Sequence, residues 1–179
     1  MKIIDDAVPE FAAFQQQILD VGFPWYYARQ TKPSADGESN PFLHGWVHMV
    51  FDNGIVYSEH AEKIFNWLAP VMGLAGEHVT MLHRVRIVLN VITDQPYLNG
   101  AHCDLASPHK TALIYINDSD GPTVIYKERW RQGYEGPFTV DHEIEAVANR
   151  MVIFDGLQYH TGTTPAKTPR RIVLNINYE

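Results

Sequence analysis

His102-Cys103-Asp104 sets an imidazole and a carboxylate two positions apart. On extended backbone, residues i and i+2 leave the same face, so both side chains reach one metal ion. A second imidazole, His160, follows the apolar run Met151-Val152-Ile153-Phe154. Two neutral nitrogens and one anionic oxygen suit a mononuclear ferrous site that keeps positions open for substrate and O2. Cys103 alternates to the opposite face and is expected to pack rather than ligate.

An H-x-D triplet arises readily by chance in a chain with nine histidines, so spacing alone is weak. His60-Ala61-Glu62 is a decoy of the same form. It lies in a segment of helical periodicity, where i and i+2 diverge by about 200°, and both residues are expected at the surface. His44, His48, His78, His83, His109 and His142 have no ligand-like partner at matched spacing and are expected to be satisfied or solvent-facing. His109, in the loop after the triplet, is also a candidate substrate contact.

The elements that must position the triad come in two textures. Val8, Phe11, Phe14 and Ile18 recur at spacings of three and four, which predicts a helix. A second helix is expected from Ser58, an N-cap residue type, to Met72, with Ile64, Trp67, Leu68 and Val71 on one face. Between them, residues 24–45 form a long loop rich in Pro, Gly, Ser and Asp, the composition of a lid or binding loop. From Arg84 on, short β-branched runs predict strands at 84–91, 111–116, 123–126, 138–140, 151–154 and 171–178. Turn signals such as Asp120-Gly121-Pro122 and Asp155-Gly156 separate them, as in a β-sandwich or barrel.

A length of 179 residues fits one domain, with a helical part over about 1–80 and a catalytic β core over about 84–178. The single cysteine excludes an internal disulfide and fits a reducing compartment. Neither a signal-peptide-like apolar run nor a span of roughly 18 apolar residues is present, so a cytoplasmic protein is expected, with no membrane partner. The net charge of −7 counts against stable nucleic-acid binding. Arg84, Arg86, Arg129, Arg131, Arg150, Arg170 and Arg171 cluster late in the chain, and most are expected on solvated edges.

Taken in order, His102-Cys103-Asp104, Tyr115-Ile116-Asn117, Gly121-Pro122-Thr123, Phe154-Asp155-Gly156, His160 and Arg170-Arg171-Ile172-Val173-Leu174 resemble the Fe(II)/2-oxoglutarate-dependent dioxygenase superfamily. The match is closest to its prolyl-4-hydroxylase-like branch, including small members carried by phages and marine bacteria, and covers roughly residues 84–178. Phe23-Pro24-Trp25-Tyr26-Tyr27 also resembles the phage-type members. The resemblance implies a mainly β fold: a double-stranded β-helix (jelly roll, cupin-like) core with N-terminal helices packed on one face. It further implies Fe(II), 2-oxoglutarate as cosubstrate, O2, activity supported by ascorbate, and host cytoplasm if the chain is phage-encoded.

The resemblance also places a cation for the far carboxylate of 2-oxoglutarate at the start of the last strand. A guanidinium suits this because its planar fork binds a carboxylate through two hydrogen bonds. Arg170 and Arg171 both qualify, ten and eleven residues after His160. If Arg171 points inward, Val173, Asn175 and Asn177 share its face and Ile172, Leu174, Ile176 and Tyr178 turn onto the helices. The opposite register buries two asparagines against helices, which is costly, so Arg171 is preferred. Tyr115 matches a family position whose phenol helps hold the same carboxylate, and Asn90, on the strand before the triad, is a candidate donor to it.

The resemblance also implies hydroxylation rather than halogenation, because Asp104 supplies the carboxylate that related halogenases lack. A peptidyl prolyl or amino-acid substrate is the first expectation, with Trp130, Arg131, His109 and Tyr27 as candidate substrate contacts. A nucleobase or small-metabolite oxygenase is the alternative within the class. A cupin-like metal protein that does not use 2-oxoglutarate, and a metal-free β-sandwich binding module, are the alternatives outside it.

Overall fold

The computed structural model describes residues 1–28 and 43–179. Pro33, Gly37, Pro41 and Phe42 of the expected binding loop lie outside the described residues. In chain order the elements are β1 (Lys2–Ile4), α1 (Phe11–Leu19), β2 (Tyr26–Ala28), β3 (Gly45–Asp52), β4 (Ile55–Val56), α2 (Ala61–Leu74), and β5 (Leu82–Val91). After these come β6 (Lys110–Tyr115), β7 (Ser119–Arg129), β8 (Val140–Ala146), β9 (Met151–Asp155), β10 (Gln158–Gly162) and β11 (Arg170–Tyr178).

Two antiparallel sheets face each other. The larger runs β1-β9-β6-β11-β5-β3-β2, with β4 on β3, and the smaller runs β10-β7-β8. The bridges Leu98↔Thr163 and His102↔His160 lay segment 98–102 beside β10, so the smaller sheet gains a fourth member. This is the mainly β jelly roll expected, with helices on the outer face of the larger sheet.

Alternation in β11 explains how one strand serves two cores. Ile172, Leu174, Ile176 and Tyr178 pack with Phe14 and Ile18 of α1 and Ile64, Leu68 and Val71 of α2. Val173 turns the other way and joins Leu113, Tyr115, Ile125 and Phe154 between the sheets. Each fully buried Ile or Phe contributes about 1.5–3 kcal/mol, so a one-residue slip of β11 would exchange two sets of such contacts.

The structure differs from expectation in four segments. Residues 1–80, expected helical, also supply β3, whose Trp46 to Asp52 pair with β5. The Asp120-Gly121-Pro122 turn is instead part of β7. There the Asp120 carboxylate accepts the backbone N–H groups of Ala166, Lys167 and Thr168, bonds that a turn residue satisfies locally. Of the expected strand Phe138-Thr139-Val140 only Val140 lies in β8, and Phe138 and Thr139 precede it. β8 runs through the charged stretch 140–146, because its outer face is exposed and only Ile144 and Ala146 turn inward. His160 follows β9, as expected, but lies inside a further strand, β10, that was not expected. Among the described residues no helix is long and apolar enough to cross a membrane.

Candidate metal centre

His102 and His160 are cross-strand partners. Each backbone N–H donates to the other's carbonyl, at 3.0 and 2.8 Å, and the ring centroids lie 4.6 Å apart. His102 Nδ1 donates to Gly100 O at 2.9 Å and His160 Nδ1 to Gln158 O at 3.2 Å. A carbonyl on Nδ1 requires the proton there, so in each neutral ring Nε2 is the nitrogen that carries the lone pair a metal would take. Those two Nε2 atoms lie 4.0 Å from Asp104 Oδ1 and 3.6 Å from Oδ2 respectively. One ligand atom from each of the three residues falls within 4.8 Å of the others. The donor set and its outer contacts fit ferrous iron.

The Asp104 side chain is fully buried, yet it is not isolated. Oδ1 accepts from Arg84 Nη2 and Arg86 Nη2, both at 2.8 Å. Oδ2 accepts from Asn175 Nδ2 and Asn177 Nδ2, both at 3.0 Å. Register produces this clamp: Arg86 pairs with Asn175 and Arg84 with Asn177 across β5 and β11, so all four share the inner face. Burial would push the Asp104 carboxyl up, but the contact with His160 and the charge of Arg86 hold it well below the usual carboxylate range. Asp104 is therefore a carboxylate at any ordinary pH. Burial lowers the Arg84 guanidinium, as does the like charge of Arg86, while Asp104 and Asp52 oppose this.

Two steps further along the same face, past Val88 opposite Val173, Arg171 stands opposite Asn90. Its side chain crosses the barrel to the smaller sheet, where Nε donates to Gly121 O at 2.8 Å and Nη2 to Thr123 Oγ1 at 2.7 Å. Gly121 is required by close approach: a Cβ there would lie 2.4 Å from Thr163 O and 3.0 Å from Arg171 Cδ. Tyr115 donates its hydroxyl to the same Thr123 oxygen at 2.7 Å, beneath the guanidinium. Burial pushes the Tyr115 phenol up, against the pull of Arg171. Arg171, Asn90 and Thr123 line a cavity of about 80 Å³ together with His102 and His160. Val88, Leu113 and Val173 supply apolar wall between the two ends.

The remaining candidates fall elsewhere. Arg170 is exposed at the start of β11, on the other side of the strand from Arg171. Tyr115 reaches the cavity only through Thr123. Trp130 and Arg131 lie outside the smaller sheet, where the Arg131 guanidinium sits 4.4 Å over the Tyr134 ring. Beside them Tyr126, Tyr159 and Phe138 pack over Cys103 as a satellite core, so this aromatic segment closes the outer face and not the cavity. Cys103 packs as expected. His109 is buried with Nε2 against Gly156, where a Cβ would come within 2.1 Å, and it lines a separate hollow beside Phe154 and Asp155. Tyr27 pairs with Trp46, which pairs with Leu89 on the helix-facing side, so Tyr27 does not face the cavity. His60, expected at the surface, is half-buried and stacks on Phe23.

Arg84, Arg86 and Thr123 carry the site without having been singled out for it. The available signal was the alternation Arg84-x-Arg86-x-Val88-x-Asn90, a polar stripe on one face of a strand that also begins Leu82 and ends Val91. Polar residues at period two inside an apolar strand mark a wet or liganded interior.

By sequence, no family model and no curated protein matches the chain. By structure it is similar to a 2OG-Fe(II) oxygenase family oxidoreductase from Burkholderia pseudomallei, with TM-score 0.60 and 17% identity over 95% of this chain and 77% of that one. It is also similar to a Trichoplax adhaerens prolyl hydroxylase in complex with a hypoxia inducible factor peptide fragment, with TM-score 0.61 and 14% identity over 99% and 82%. A third likeness is to SnoN, a non-heme alpha ketoglutarate dependent epimerase from nogalamycin biosynthesis, with TM-score 0.64 and 12% identity over 99% and 76%. At such identities the likeness concerns the fold.

Proposed function

We propose that this chain is an Fe(II)- and 2-oxoglutarate-dependent oxygenase that hydroxylates an unactivated C–H bond. The observation that carries the reading is the sharing of one small cavity by His102, His160 and the buried guanidinium of Arg171. A metal protein that made no use of 2-oxoglutarate would not need a buried cation in the same cavity as its ligands, since an unpaired buried charge costs several kcal/mol.

In this reading His102, Asp104 and His160 hold the iron. When bound, Fe(II) with 2-oxoglutarate and O2 inserts one oxygen atom into the C–H bond and the other into succinate, with release of CO2. The Arg171 guanidinium and the Thr123 hydroxyl proton receive the distal carboxylate. Asn90 adds a donor amide on the same side. Val88, Leu113 and Val173 exclude water from the reacting centre, which keeps the oxidant for the substrate. Gly100 and Gln158 fix the two imidazoles, so the protein reorganises little on loading.

A peptidyl prolyl or amino-acid substrate is the leading class, supported by the fold shared with a prolyl hydroxylase that binds a peptide. The narrowness of the cavity favours a small metabolite as the second reading. The test is succinate formation from 2-oxoglutarate with Fe(II), O2 and ascorbate, with and without a proline-rich peptide. Turnover is expected, with a visible charge-transfer band on anaerobic loading of Fe(II) and 2-oxoglutarate. No turnover and no band would remove the oxygenase reading; turnover that leaves every peptide unmodified would remove the prolyl one.

A further inference from the structure

The inner face of β5 carries more positive charge than its neighbours balance. Arg84 and Arg86 both lean on one oxygen of Asp104, at 2.8 Å each. Arg84 has a second anion, Asp52, opposite it on β3. Arg86 has none, because its cross-strand neighbours are Met49 and Asn175. Its Nε is buried without a hydrogen-bond partner among the described residues. Asn175 commits Nδ2 to Asp104, and its Oδ1 is likewise buried and unpartnered. Arg86 and Asn175 both line the cavity that holds His102, His160 and Arg171.

With neutral imidazoles, Arg84, Arg86 and Arg171 against Asp52 and Asp104 leave one positive charge over. Ferrous iron and the 2-oxoglutarate dianion cancel each other and do not alter that balance. Arg86 shares its one anion, Asp104, with Arg84, and an arginine fork with donors to spare matches a carboxylate or phosphate. Building on the oxygenase reading above, we infer that Arg86 is a subsite for an oxyanion, a carboxylate or a phosphate, on a substrate of net negative charge, since a zwitterion brings its own ammonium and leaves the balance positive. Asn175 Oδ1 accepts from an N–H or O–H next to that group. The oxidised carbon therefore lies near a negative charge, which a prolyl peptide would supply from an adjacent acidic residue and a free amino acid from its own side chain.

The experiment uses the full chain loaded anaerobically with Fe(II) and 2-oxoglutarate, and follows the visible band and the melting temperature. The probes are L-aspartate against L-asparagine, L-glutamate against L-glutamine, and O-phospho-L-serine against L-serine. In at least one pair the anionic member shifts both signals at a concentration about tenfold or more below its neutral partner. The amino-acid pairs report a carboxylate subsite and the phosphoserine pair a phosphate subsite. Arg86→Gln loses about tenfold of that preference. Arg86→Lys, which keeps a cation beside Asp104, retains part of it and serves in its place if Arg86→Gln does not fold. A band insensitive to every anionic probe, neutral probes as effective as their partners in all three pairs, or an undiminished preference in both variants overturns the inference while leaving the oxygenase reading intact. Absence of the band itself overturns the oxygenase reading, and this inference with it.

Discussion

Arg171 reaches across the barrel to Thr123, and the 2.7 Å bond between Nη2 and Oγ1 ties the last strand of one sheet to the middle strand of the other. The same oxygen takes the Tyr115 hydroxyl at 2.7 Å, so one small side chain satisfies two buried donors. Thr123→Val keeps the shape and removes the acceptor. The expected cost is about 1–3 kcal/mol in urea unfolding, because both donors stay buried. The apparent KM for 2-oxoglutarate is expected to rise about tenfold, since the guanidinium loses its anchor. Thr123→Ser is expected to restore both. A valine variant with unchanged KM would mean that Thr123 does not orient Arg171.

Arg170 and Arg171 are adjacent in sequence and opposite in environment. Arg171→Met is expected to weaken 2-oxoglutarate binding about a hundredfold or more, the loss of two charge-assisted bonds. Arg170→Met is expected to change stability by less than about 0.5 kcal/mol and binding by less than about twofold, as for an exposed side chain. Anaerobic titration of the Fe(II)-loaded protein, read at the charge-transfer band, separates the two. Equal effects would make the strand register wrong.

Much of this site was legible because β11 announces its faces. Ile172, Leu174, Ile176 and Tyr178 against Arg171, Asn175 and Asn177 is a period-two pattern that only one register buries sensibly. The triplet His102-Cys103-Asp104 was legible for the same reason. His160 was assigned without its strand, since Gln158–Gly162 has little β-branched character and is held by pairing to β7. β8 was misplaced because its charged residues follow solvent on an edge rather than propensity. The role of Arg84 and Arg86 depends on which strands neighbour β5, a long-range pairing that no local window contains.

The Asp104 clamp predicts that two metal ligands differ in what they do for the apo fold. Asp104→Ala leaves Arg84 and Arg86 facing each other over a void. The expected loss is about 2–4 kcal/mol, less than for a fully buried pair because both arginines partly reach solvent. His102→Ala gives up its Gly100 bond and its ring contact with His160, about 1 kcal/mol. Both variants are expected to lose the rise in melting temperature that Fe(II) gives the wild type. Urea unfolding in chelator, followed by anaerobic melting with Fe(II), reads the two effects apart. Equal apo stability would show that the clamp does not support the fold.

Far from the cavity, Glu77 gathers the end of the α2 segment, β1, β6 and β11 on one carboxylate. Lys2 Nζ and Lys110 Nζ each lie 2.6 Å from it and the Tyr178 hydroxyl donates at 3.1 Å. Burial would raise its pKa, but Lys110, Lys2 and Tyr178 outweigh that and hold it at about 2, against an ordinary value of 4.5. A depressed carboxyl contributes stability that is complete above about pH 4.5 and disappears as the pH falls toward 2. In full the shift would be worth about 3 kcal/mol, and two half-exposed lysine partners reduce that to about 1–2 kcal/mol. Glu77→Gln is therefore expected to be less stable than the wild type by that amount at pH 6, with the gap closing as the pH is lowered through 4. Denaturant midpoints measured from pH 2.5 to 7 for both proteins decide it. A gap that stays constant with pH would mean that Glu77 acts by packing and not by charge.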